Sequence, residues 1–153
     1  MNFDKKNINK YKIYKYNRYL AISIVMFILI WLLGVSGVFL NPAIKSGFAL
    51  VVLVVSVMLH IQNHKSKNKS IPSYFVYSAN ILSIFGDLML IFSDHYKNLL
   101  RYGIGLSIIV ILLQVVAAVI SFMIAARLRK ETPNLVRDYK NRNSKISEDK
   151  YEK

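Results

Sequence analysis

A single acid interrupts an otherwise apolar stretch of this chain. Asp87 lies inside residues 74–92, with Ser83 four residues and Asn80 seven residues before it. At 100° per residue the three share about 60° of arc on one helical face. A carboxylate in that setting can take a proton, hold a cation or clasp a neighbouring helix. Its insertion into a bilayer costs about 2.5–3.5 kcal/mol, so it should face protein or water and have a partner. Lys45 is the first candidate, offset by about five residues or roughly 7.5 Å of helical rise, a span a lysine stem can cover. Arg101 is the second. Gln114, central in the next apolar run, should hydrogen-bond to Asn80 or Asp87.

Other chemistry-bearing residues point to less. His60 and His64 have the i, i+4 spacing of a helical metal pair, but no third ligand lies near them in sequence. Asp94-His95 has the look of an acid–base pair without a nucleophile. Gly103-x-Gly105 lacks the strand and third glycine of a dinucleotide fingerprint. The chain has no cysteine, which excludes disulfides and thiolate–metal sites. It also contains no P-loop, H-E-x-x-H or C-x-x-C pattern. The expectation is a protein that is not an enzyme, with no cofactor and no metal.

The elements that position these residues follow from hydropathy. The chain has 153 residues, 54% hydrophobic, with a formal net charge of +13 and a mean hydropathy of +0.35. This pairing suits membrane helices with basic flanks. A bilayer core of about 30 Å needs about 20 apolar residues of helix. Four runs meet that length, at about 19–40, 43–62, 74–92 and 103–126. They are continuously apolar, whereas a barrel strand alternates. Asn41-Pro42 breaks the first pair, a lysine-rich connection the second, a short polar loop the third, and Pro133 stops the last. The first run reads as a retained anchor rather than a cleaved signal, because it is long and follows a long basic segment. The expected fold is an all-α membrane protein, a compact bundle of four transmembrane helices.

Basic residues set the expected orientation. Eighteen lysines and arginines fall in the two terminal segments (1–18 and 127–153) and the 65–69 connection, against Lys45, Lys97 and Arg101 on the other side. Both termini should therefore be cytoplasmic, in the cytoplasmic membrane. The AT-rich codons of Ile, Lys, Asn and Tyr, which supply 56 of 153 residues, suit a bacterial source of low GC content. Tyr14, Tyr16 and Tyr19 interleave with Lys12, Lys15 and Arg18, and Arg127, Arg129 and Lys130 follow the last run. Beside a span this pattern suits anionic lipid headgroups, at about 1 kcal/mol per charge, rather than nucleic acid.

Each run also carries one small or polar stripe. These are Gly34, Gly37 and Asn41; Lys45, Ala49, Ser56 and His60; Asn80, Ser83 and Asp87; and Ser107, Gln114, Ala118, Ser121 and Ala125. Such stripes favour helix–helix contact, and bulky apolar residues favour lipid. The size and four-span layout resemble those of DoxX-like proteins and small multidrug exporters. The exporters carry a membrane glutamate in the first span, where this chain has no acid, and no residue motif of the DoxX-like proteins is present. The expected function is an accessory, regulatory or immunity-type partner of another membrane protein, acting through helix contacts. The alternative is a small oligomeric transporter or channel that uses Asp87 for ion or proton coupling.

Overall fold

A computed structural model describes residues 2–35, 42–66, 69–92, 97–134 and 137. Four helices carry them: α1 (Asn2–Val35), α2 (Pro42–Lys65), α3 (Ile71–Ile91) and α4 (Lys97–Glu131). Local chemistry accounts for their ends. Pro42 opens α2, where a missing N–H and a fixed φ cost nothing. The Tyr74 N–H donates to the Ser70 carbonyl at 3.2 Å, which makes Ser70 the capping residue and places Pro72 in the first turn. The Ser66 N–H is shared between the carbonyls of Gln62 and Asn63 at the end of α2. Thr132, the residue before Pro133, is pushed out of helical conformation, and α4 stops at Glu131. His64, Lys65, Arg129 and Lys130 sit in the last turns of α2 and α4, where cations complement the helix dipole.

The helices form a ring in the order α1, α2, α3, α4. α4 packs against both α3 and α1, and the α2–α3 seam is much the thinnest. Three contacts fix the antiparallel register. Gln62 Nε2 donates to Asn9 Oδ1 at 3.3 Å, linking α2 to α1. Ser73 Oγ donates to the Ser56 carbonyl at 3.0 Å, linking α3 to α2. Gly86 lies beside Gly103 and Leu106, linking α3 to α4. Tyr14 of α1 meets Ala125 of α4, so the start of α1 and the end of α4 share one end of the bundle, the termini end. The other is the Asp87 end.

The core runs through Leu20, Ile24, Phe27, Val52, Leu59, Val76, Ala117 and Ala118. Alanines on α4 let its neighbours approach closely. Outside, the bundle is apolar: Leu50, Ile84, Phe122 and Met123 are all more than 60% exposed. A water-soluble bundle would reverse that arrangement.

Among the described residues three helices are long and apolar enough to cross a membrane, within Asn7–Leu33, Gly47–Lys65 and Arg101–Glu131. α3, with 21 residues, carries the run expected as the third span. One feature differs from the reading of the sequence: the basic segment before residue 19 is not a separate tail. It continues α1 without a break and buries Ile13, Tyr14 and Asn17.

Candidate functional site

Asp87 lines a small recess at its end of the bundle, shared with Phe27 and Trp31 of α1, Leu82, Ser83 and Gly86 of α3, and Ser107, Val110 and Ile111 of α4. The recess holds about 20 Å³, room for a single water-sized guest. Asp87 itself is exposed and forms no ion pair among the described residues. Neighbouring polar groups are spent on their own helices. Ser107 Oγ donates to the Gly103 carbonyl at 3.0 Å, and Asn80 Nδ2 donates to the Val76 carbonyl at 2.8 Å. The site therefore offers one carboxylate and two hydroxyl oxygens. It can hold a proton, a small cation or a donor from another protein, and no second acid lines it among the described residues.

The expected partners of Asp87 fare differently. Arg101 is exposed and six residues from Ser107, so it points about 120° away from the recess around α4. Lys45 lies opposite Ile84 when α2 and α3 are counted out from Ser56 and Ser73, one turn from Asp87; its side chain lies outside the described residues. Gln114 does not make the expected bond. It is buried, with Oε1 unpartnered. Counting from Gly86 beside Gly103 and Leu106 places Gln114 opposite Val76, about 16 Å along the bundle from Asp87 and one turn from Asn80. Helical faces can be read from sequence, but the relative depth of two helices cannot.

The packing stripe of α4 lies inside: Ala118, Ser121 and Ala125 are buried, and Ser83 is half-buried. Gly37, Asn41, Asp94, His95 and the surroundings of Gly34 lie outside the described residues. His60 stacks edge-on against Tyr74 with centroids 5.5 Å apart and leans on Tyr77 at 5.8 Å. No group of three metal-ligand residues occurs among the described residues.

The basic–aromatic segment is split by the bundle. Lys12, Arg18, Tyr19, Arg127, Arg129 and Lys130 are exposed. Tyr14 is buried and Tyr16 is half-buried against the core. Lys15 Nζ stands 5.4 Å from the centre of the Tyr19 ring.

A second polar feature was not anticipated as a unit. Asn17, Ser56, Ser73 and Ser121, one from each helix, are all fully buried near the termini end. The sequence signal for Asn17 was its spacing from Ile13, Leu20 and Ile24, which puts it on the same inward face.

No protein-family model, no curated protein and no solved structure matches the chain.

Proposed function

We propose that this chain is an integral protein of the bacterial cytoplasmic membrane, with four spans and both termini in the cytoplasm. It acts as an accessory or regulatory partner of another membrane protein, without chemistry of its own. α3 is read as the fourth span because its deepest packing is on α4 and Ile81, Ile84, Phe85 and Leu88 on it are exposed, as a lipid-facing surface requires. The orientation rests on charge: Lys10, Lys12, Lys15, Arg18, Lys65, Arg127, Arg129 and Lys130 all belong to the termini end. That basic collar suits anionic headgroups.

One observation carries the partner reading. Asp87 is exposed at spanning depth with no ion-pair partner among the described residues, in a recess walled by α1, α3 and α4. A carboxylate left so is costly, and a basic or hydrogen-bond-donating residue on a docked transmembrane helix offsets that cost. The test is capture of the tagged protein from its native membrane in mild detergent, followed by native mass analysis. The expected result is a second membrane protein in fixed ratio, with Asp87→Asn reducing its recovery at least tenfold at unchanged membrane abundance. A pure homo-oligomer unaffected by Asp87→Asn sinks the reading.

The recess itself favours a second reading. A carboxylate beside Ser83 and Ser107 in a space for one small guest suits proton or cation coupling in an oligomeric transporter. A homo-oligomer whose proton or sodium flux in liposomes vanishes with Asp87→Asn would establish it in place of the first.

A further inference from the structure

The recess around Asp87 has a definite size and a definite set of polar atoms, and together they specify what a docked helix must bring. Three helices line it: Phe27 and Trp31 come from α1, Ser83, Gly86 and Asp87 from α3, and Ser107 from α4. Its volume of about 20 Å³ admits one water-sized group. Gly86 is buried and adds no side chain to that space.

The polar atoms are acceptors. The Asp87 carboxylate carries the negative charge, and no cation lines the recess with it among the described residues. Ser107 donates its proton to the Gly103 carbonyl at 3.0 Å, so its Oγ is left with lone pairs alone. Ser83 adds a second hydroxyl oxygen. Such a set rejects an anion or a carbonyl group and suits a guest that only donates. Two aromatic rings complete the wall, and indole is the best of the aromatic faces for a cation. The rim is apolar. Ile84 and Leu88 lie within one turn of Asp87 on α3, and Ile108 follows Ser107 on α4; all three are exposed.

A side chain that enters must therefore carry a positive charge on a water-sized head and an apolar stem behind it. Lysine meets both terms. Its ammonium is compact, with three donors and no acceptor, and its four-carbon stem can lie along an apolar rim. A guanidinium is a planar fork with five donors, too broad for a space that admits one water. A free metal ion brings no stem and leaves the rim uncovered. Resting on the reading of Asp87 as a partner contact, we propose that the recess is a socket for one lysine of the docked transmembrane helix. The ammonium donates to the Asp87 carboxylate and to the oxygens of Ser83 and Ser107, against the Trp31 ring, and Ile84, Leu88 and Ile108 cover the stem.

Carbodiimide cross-linking of the tagged full-length protein in its native membrane tests this. A membrane-permeant carbodiimide activates a carboxyl as its O-acylisourea. An amine in contact attacks the acyl carbon, an amide C–N bond forms and a urea leaves. Where no amine is in reach, the adduct rearranges to a stable N-acylurea on the aspartate. A guanidinium, always protonated, gives no amide. After capture and digestion, mass analysis should show Asp87 joined to a lysine in a transmembrane segment of the partner. The joined species should vanish with Asp87→Asn and fall about threefold or more with Ser107→Ala. It should stay unchanged with Asn80→Ala, on the same face of α3 but outside the recess. No amide at Asp87, with the partner still recovered in fixed ratio, refutes the lysine and leaves the partner reading standing. An amide between Asp87 and Lys45 of this chain also refutes it, because the socket is then filled from within. Equal losses for Ser107→Ala and Asn80→Ala overturn the recess as the point of contact. Recovery of no partner at all sinks the partner reading and the lysine with it.

Discussion

The two ends of the bundle handle polar groups in opposite ways. At the termini end, hydrogen bonds run between helices, from Gln62 to Asn9 and from Ser73 to Ser56, and Asn63 and Ser70 are also buried. At the Asp87 end, Asn80 and Ser107 bond back to their own helices, and Asp87 stays exposed. The polar and aromatic contacts across the α2–α3 seam, at Ser73 and at His60 against Tyr74 and Tyr77, lie toward the 65–70 connection. Bonds between helices resist separation, whereas bonds within a helix survive it. The described side-chain hydrogen bonds between helices therefore gather at the termini end, although Asn17 there bonds back to its own helix.

Truncation of the core should show the contrast most strongly. Leu59→Ala removes a side chain that is 0% exposed and should cost about 2–5 kcal/mol of unfolding free energy. Leu88→Ala at the other end, 45% exposed, should stay within about 0.5 kcal/mol in detergent. Equal losses would erase the distinction between the ends. Next in size, Ser73→Ala deletes the bond to the Ser56 carbonyl and should cost about 0.6–1.7 kcal/mol. Asn80→Ala, which loses a bond within one helix, should cost less; a larger loss there would show that α3 depends on Asn80 for its packing. The smallest effect belongs to Arg127→Ala. Its i, i+4 bond to Glu131 is short at 2.8 Å, but the arginine side chain is 82% exposed, so chemical denaturation should register no more than about 0.5 kcal/mol.

The helical architecture was legible because hydropathy is a local property. Pro42 and Pro133 announced a helix start and a helix stop, and the α4 stripe of Ala118, Ser121 and Ala125 named its inward face. Two things were not legible. The segment before residue 19 mixes lysine and tyrosine, so its pattern suits a headgroup anchor as well as a helix; only the packing of Tyr14 on Ala125 separates them. The meeting of Gln114 with Asn80 or Asp87 depended on the sliding position of α3 against α4. That position is set by how Gly86 fits beside Gly103 and Leu106, a relation between helices that no single-helix pattern encodes.

The length of α1 has a mechanical consequence. Its 34 residues span about 51 Å, well beyond the hydrocarbon thickness of about 30 Å. Neither proline nor glycine occurs from Asn2 to Leu33, so nothing along that length provides a hinge. α1 is a strut that touches Gln62 near one end and walls the Asp87 recess with Phe27 and Trp31 near the other. A tilt of about 5° about Leu20 carries Trp31 sideways by about 1.4 Å over roughly 16 Å of rise. That is the radius of a water molecule, in a recess with room for one.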